Sequence, residues 1–280
     1  MFIFYQIPFN DKPIIMEEKE IPIRYSCYFT RSRSGEQFIP EHAIGYIISG
    51  TFELTDVHGT SSFKEGDVYF CRRNHFAKYL KCPPEKGEFR SLSIFFDQDM
   101  LRNFSMEYGY SSQKQVNDFG VKKLSTQSVL SNYMDSLSVY ESLFQQKNTT
   151  NLFIIKQKEA ILLLLQSHPE LKDVLFDFTE PGKIDLEAFM NKNYHFNVEL
   201  KRFAYLSGRS LSTFKRDFEK IFHATPSRWL LNRRLQEAHY LIKEKKKTVS
   251  DVYLDVGFED LSHFSFAFKK QYGIAPSGIL

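Results

Sequence analysis

Long apolar runs are missing from this chain. The stretch AILLLL at 160–165 falls far short of the roughly 20 residues needed to cross a bilayer, so no membrane-spanning helix and no membrane partner are expected. Cysteine is scarce as well. Cys27, Cys71 and Cys82 are odd in number and lack the paired spacing of zinc ligands, which argues against a disulfide framework and for reduced, buried thiols. The opening MFIFYQIPFN has no basic start ahead of its apolar residues and no small-residue cleavage site, so a secretory signal is not expected and the cytoplasm is the expected location. Catalytic signatures are also wanting. No Gly-x-Ser-x-Gly elbow, phosphate-cradling glycine loop or His-Glu-x-x-His sequence occurs, and nothing specific points to an enzyme.

What is present is a soluble composition with an uneven charge. At 280 residues two domains are the natural prior, and 42% hydrophobic with 25% charged residues suits globular packing. Residues 183–280 carry 17 Lys+Arg against 11 Asp+Glu, a net +6, whereas residues 1–182 carry 20 against 23, a net −3. The basic half points to an anionic partner, although an ordinary surface can carry the same charge.

Residues 1 to about 98 alternate short aromatic-rich runs with turn signals, among them AIGYIISGTFELTD and HGTSSFKEGDVYFCRRN, with Gly50, Gly59 and Gly66 between runs. Such period-two runs predict an antiparallel barrel or sandwich. From about 126 the period becomes helical. TQSVLSNYMDSLSVYESLFQQ puts Val129, Tyr133, Leu137, Tyr140 and Leu143 or Phe144 on one stripe, and NLFIIKQKEAILLLLQS continues as a second helix. Two helices there can make a dimer contact or simply pack on their own domain. Pro181-Gly182 is a breaker pair, and the division it suggests is a sensor domain at 1–125, a helical linker at 126–180 and a DNA-binding domain at 181–280.

The last hundred residues contain a duplication. AYLSGRSLSTFKRDFEKIFHATP at 204–226 aligns with YLDVGFEDLSHFSFAFKKQYGIAP at 253–276, so that Phe214, Phe218, Lys220, Phe222 and Pro226 correspond to Phe264, Phe268, Lys270, Tyr272 and Pro276. Leu211-Ser212 matches Leu261-Ser262, and Gly208 matches Gly257 across one inserted residue. Each copy reads as a short helix, a glycine turn and a second helix with a polar cap, which is a helix-turn-helix unit. In the first, Asn197 is a candidate cap for VELKRFAYLS and Ser210 for LSTFKRDFEKIF. Phenylalanines at every fourth position face a core, which leaves Ser212, Lys215, Arg216 and Glu219 on the opposite, groove-suited face. From Ser227 to Lys243 a helix of about 25 Å would separate the two units, and successive major grooves lie about 34 Å apart.

These residues carry a family resemblance. The span 184–276 resembles the AraC-type DNA-binding domain, on the strength of DVGFEDLSHFSFAFKKQYGIAP, with its VGF, Ser-aromatic and Gly-x-x-Pro elements. The resemblance implies seven helices in two helix-turn-helix units. It departs at Tyr253, where the family usually has alanine, at Phe266, where it usually has arginine, and at Leu280, where the chain ends short of the usual last helix. FIPEHAIGYIISGTFELTDVHGTSSFKEGDVYFCRRNHF is similar to the cupin-like sensor half of the same family. The expected fold is therefore α+β and multidomain: an antiparallel cupin-like β-barrel, a helical linker or dimerisation segment, and an all-α domain.

The expected function is a bacterial, sequence-specific transcription regulator that binds promoter DNA as a homodimer, answers a small-molecule or partner signal, and can contact RNA polymerase. In the first unit the candidate DNA contacts are Arg209, Ser210, Ser212, Thr213, Lys215, Arg216 and Lys220, with Arg228 on the connecting helix. In the second they are Ser262, His263, Ser265 and Lys269. Phe266 either faces the thymine methyl or packs on a neighbouring helix or the N-terminal domain. The run Lys243, Lys245, Lys246, Lys247 touches phosphates or forms a solvated loop. Glu41, His42, His58 and His75 lack the converging pattern of a metal-dependent cupin, so no metal or cofactor is expected. The alternatives are a cupin-type enzyme with an accessory helical domain, and a regulator without a small-molecule ligand.

Overall fold

The computed structural model describes residues 21–33, 37–114, 119–124, 129–141 and 150–279. The opening decapeptide, Leu143, Phe144 and Leu280 lie outside the described residues.

Three antiparallel sheets form the N-terminal half. β1 (Ile23–Tyr28), β9 (Phe89–Phe96), β3 (His42–Ser49), β6 (Val68–Cys71) and β10 (Val121–Lys123) make the largest, in that order. β5 (Gly59–Lys64), β4 (Thr51–Asp56) and β8 (Lys78–Cys82) make a second, and β2 (Phe38–Ile39) pairs with β7 (His75–Phe76). Side-chain alternation decides which layer each residue feeds. Ala43, Ile47, Tyr69 and Cys71 point inward with Phe52, Leu54, Phe63 and Phe89, closing an aromatic barrel interior. Ile44, Val68, Phe70, Leu92, Ile94 and Phe96 point outward into a second core. β6 is consequently buried along its whole length, and VYFC is apolar at all four positions because both faces are covered. Gly45 is required by contact: a Cβ there would lie 2.0 Å from the Tyr69 ring.

Helices cover the outer face. α1 (Gln98–Tyr108) starts at Asp97, whose carboxylate accepts from the Met100 amide at 2.7 Å. α2 (Val129–Ser136), α3 (Thr150–Ser167) and α4 (Lys172–Leu175) follow. The buried stripe is Leu130, Tyr133, Met134 and Leu137, whereas Val129 is 66% exposed. The expected stripe was thus out of phase at its start, because positions spaced by four drift by about 40° per step around a helix of 3.6 residues per turn, which brings Leu130 rather than Val129 into line with Tyr133 and Leu137. The thiols also differ from expectation: all three are free, but Cys27 is exposed and only Cys71 is fully buried.

The C-terminal part contains α5 (Leu186–Asn193), α6 (Leu200–Leu206), α7 (Leu211–Phe222), α8 (Pro226–Lys243), α9 (Val249–Asp255) and α10 (Leu261–Tyr272). A 3₁₀ turn at Pro276–Gly278 stands where a seventh helix was implied. Phe203, Phe214, Phe218 and Leu230 centre one core, and Leu235, Ile242, Val252, Phe264 and Phe268 centre another. α8 contributes to both, so the connecting helix is itself part of each unit.

The first helical core is completed from the other half of the chain. Phe38 and Phe76 of the β2–β7 pair are buried in it, with Phe76 5.0 Å from Phe203 and 5.4 Å from Phe196, centroid to centroid. Asn197 does not cap α6. That helix begins after Glu199, which makes no side-chain cap bond, while the Asn197 amide donates to Gln37 Oε1 at 2.8 Å across the same junction.

Candidate nucleic-acid interface

Each unit forms a tight turn from the same device. Gly208 (φ +66°) and Gly257 (φ +95°) take the left-handed conformation that costs glycine least. Both also meet foreign backbone: a Cβ would lie 2.3 Å from the Gly182 carbonyl in one and 2.6 Å from the His195 carbonyl in the other. The turn of the second unit is one residue longer, 256–260 against 207–210, which is the inserted residue of the alignment. Tyr253 is accommodated because it stays half-buried, its ring 6.5 Å from that of Phe264.

In the first unit Ser210 caps α7, its hydroxyl accepting from the Thr213 amide at 3.3 Å. Phe214 and Phe218 are fully buried and the Phe222 ring packs tilted against Trp229, centroids 4.7 Å apart. Ser212, Lys215, Arg216, Glu219 and Lys220 are exposed. Arg216 projects a side chain that is 65% exposed, tethered only loosely to Asp217 at 3.7 Å. Arg228 is exposed on the first turn of α8.

Arg209 is turned largely into the protein. Its side chain is 8% exposed, Nε pairs with Asp217 at 3.1 Å, and Nη1 donates to the Ile184 and Ser207 carbonyls at 3.0 and 2.7 Å. With Nε and Nη1 spent on the protein, it clamps the segment before α5 to α7. The Arg209 hydrogen bond, with Lys183 and Arg216 nearby, holds the Asp217 carboxyl below its ordinary value. Thr213 is half-buried, its hydroxyl accepting from Ser210 at 3.0 Å.

The second unit repeats the backbone with different chemistry. Asp260 replaces Ser210 as cap and accepts from the His263 amide at 2.6 Å. Glu259 replaces Arg209, Ser265 replaces Lys215 and Phe266 replaces Arg216. Phe266 is 70% exposed, so it packs neither on a neighbouring helix nor on the N-terminal half. Ser262, His263 and Lys269 are exposed, and Ser265 is half-buried. Lys270, missed among the candidates, is exposed beside Lys269 in the last turn. The helix thus runs from an acidic start through an apolar middle to a basic end, and its cap carboxylate occupies the terminus where a phosphate would otherwise be favoured.

Arg234 was also not legible as functional. From α8 it donates to the Tyr194 and Phe196 carbonyls, each at 2.8 Å, and to the Gly257 carbonyl at 3.0 Å, strapping the first unit to the turn of the second. Lys78 from β8 donates to the Leu254 carbonyl at 3.3 Å and to the Asp255 carbonyl, and Arg33 lies 3.8 Å from the Asp255 carboxylate. The sheet half therefore grips both units while leaving both exposed helix faces uncovered. Among the described residues no helix is long and apolar enough to cross a membrane, and no group of three His, Cys, Asp or Glu is placed to hold a metal. Of the basic run, Lys243, Lys245, Lys246 and Lys247 are all exposed, and Lys247 pairs with Asp255 at 3.4 Å.

Two helix-turn-helix units joined by a shared helix and held by a β-rich half define a DNA-binding transcription regulator. A helix-turn-helix domain family matches residues 204–280, and the ExsA N-terminal regulatory domain family matches residues 42–174. The chain is 22% identical over 254 residues to the HTH-type transcriptional regulator ExsA of Pseudomonas aeruginosa, covering 90% of each. It is 25% identical over 238 residues to the thermoregulatory protein LcrF of Yersinia pestis, covering 82% of this chain and 86% of that one. ToxT from Vibrio cholerae O395 is similar over 92% of this chain and 97% of that one, at 13% identity and a TM-score of 0.40. The chain is an AraC-type transcription regulator with an N-terminal regulatory domain.

Proposed function

We propose that the chain binds promoter DNA in the cytoplasm as a homodimer, one reading helix of each unit entering the major groove. The observation that carries this is the pairing of α7 and α10, alike in backbone, both seated on α8 and both exposed on their outer faces. Ser212, Lys215 and Arg216 are the base-edge candidates of α7; Ser210, Thr213, Lys220 and Arg228 are placed for phosphates or the first base step. Ser262, His263 and Ser265 with Lys269 serve the second unit, which supplies mainly backbone contacts. Residues 1–125, 126–180 and 181–280 act as sensor, linker and DNA-binding parts. The sensor answers a small molecule or protein partner and no reaction is catalysed, in keeping with relatives that are themselves regulators.

Dimerisation is assigned to α3, where Ile155 and Leu162 stand two turns apart at 60% and 38% exposure. RNA polymerase is the expected protein partner on DNA. Gel-shift titration of the intact chain against a promoter fragment tests the reading with Arg216→Ala. A loss of about 1–3 kcal/mol in binding is expected if this guanidinium reads a base pair bidentately. Unchanged affinity and unchanged site preference would refute its role.

A further inference from the structure

A cleft of about 720 Å³ opens where the sheet half meets the first helical unit. Its volume lies in the range of ligand sites. The floor comes from β3 and the β6–β7 segment, with His42, Arg72 and Arg73, and one wall comes from residues 177–185 ahead of α5. Phe76, Phe189 and Leu206 supply apolar surface.

His42 is the informative residue. It is 1% exposed, and its Nδ1 accepts from the Arg73 amide at 3.2 Å, which places the ring proton on Nε2. That Nε2–H has no acceptor among the described residues, although a buried donor without one is costly. Burial, then Arg73, Arg72 and His75, keeps the imidazole neutral. The floor is therefore rich in cationic groups, with Arg73 Nη2 spent on the Asp177 and Thr179 carbonyls of the wall at 2.9 and 3.0 Å, and it holds one buried donor without a partner among the described residues.

The wall is mainly acidic, although Lys192 also lines the cleft. Asp177 accepts from Thr179 through Oδ1, Glu180 from the Tyr205 hydroxyl through Oε2, and Asp185 from the Ala188 amide through Oδ1. Each engages one oxygen in a turn or latch and keeps the other. Asp56, the one carboxylate on the floor side, accepts from the His58 amide at 2.7 Å. A simple anion would meet the floor well and the wall badly; a simple cation would do the reverse.

We propose that this cleft binds a short peptide with free ends, its carboxylate accepting from His42 Nε2–H over the Arg72–Arg73 floor and its ammonium facing Asp177, Glu180 and Asp185. Side chains of the ligand rest on Phe76 and Phe189. Such a ligand bridges the sheet to α5 and so strengthens the grip of the regulatory half on the first unit. That consequence rests on the reading of the chain as a signal-responsive regulator, whereas the binding itself does not.

Calorimetric titration of the intact chain with leucyl-phenylalanine, its N-acetyl form and its C-terminal amide separates the possibilities. The dipeptide is expected to bind at least tenfold more tightly than either blocked form. His42→Phe, which keeps the stacking on Phe70 at 5.5 Å, should weaken the dipeptide at least tenfold and leave the amide unaffected. Glu180→Gln, on the exposed side, should weaken the dipeptide and spare the N-acetyl form, which keeps the test open if the His42 variant fails to fold. Equal binding of blocked and free forms, or no binding of any, overturns the proposal. Binding of the dipeptide by a chain that does not bind DNA would count against the regulatory reading and still support the site.

Discussion

Restoring an arginine at Phe266 should make the second unit a reader of guanine. Phe266→Arg exchanges a ring that is 70% exposed, so less than a third of its burial is lost, under about 1 kcal/mol of a full phenylalanine's 1.5–3 kcal/mol. The position is equivalent to Arg216, whose side chain is 65% exposed on the corresponding face of α7. A bidentate arginine–guanine pair discriminates by about 1–3 kcal/mol, or about 5- to 150-fold in affinity. The assay is selection by the intact chain from duplex pools randomised across the second unit's contact, followed by anisotropy titrations at several salt concentrations. The variant should enrich guanine at one position and gain affinity only on those sequences, with its melting temperature nearly unchanged. A gain on all sequences alike, with the salt slope steeper by about one, would show a phosphate contact and refute base reading. No gain at all would show that α10 does not enter the groove.

Other expectations follow from the same geometry. His195, beside Phe196 and against Gly257, is held at about 4 by burial first and by Lys78 and Arg234 next. A histidine whose folded value lies below its unfolded 6.5 gives stability that is present above pH 6.5 and lost as the pH falls through 4, in total about 3 kcal/mol. His195→Phe should therefore resist acid unfolding better than the parent, and an unchanged acid midpoint would contradict the burial argument. Ile155→Lys should raise the dissociation constant of any dimer seen in sedimentation, and an unaffected dimer would move the contact elsewhere. Residues 181–280 expressed alone should melt well below the same helices in the intact chain. They lose Phe38 and Phe76 from their core, each worth about 1.5–3 kcal/mol when fully buried. Equal melting would mean that the junction contributes nothing.

The parts legible in the sequence were those written in local periodicity. Phe214 and Phe218 against Phe264 and Phe268, with Gly208 against Gly257, repeat at an interval that no other arrangement explains economically, and all six sit where the repeat put them. Ser210 caps α7 because the signal and its target lie three residues apart. The intramolecular partners of Arg209 were not legible because they are remote: Asp217 is eight residues on and the Ile184 carbonyl 25 residues back. Asn197 failed as a cap because the helix starts later than the periodicity suggested, with Glu199 at its N-cap. The sharing of Phe38 and Phe76 between two halves left no mark in the local pattern, as any alternating strand places apolar residues on a buried face without saying whose core it enters. The acidic start of α10 was visible as Glu259 and Asp260, and became meaningful only when set against Arg209 and Ser210 on an equivalent helix.

Hydroxyl-radical footprinting of the intact chain on a promoter fragment tests most directly whether one chain reads DNA through two units. Two protected segments are expected on one face of the duplex for each bound chain, centred about 10–10.5 base pairs apart, as successive major grooves require. Arg216→Ala should weaken the segment under the first unit before the other. A single protected segment per chain, or none at any salt concentration, would rule out reading of DNA by two units of one chain.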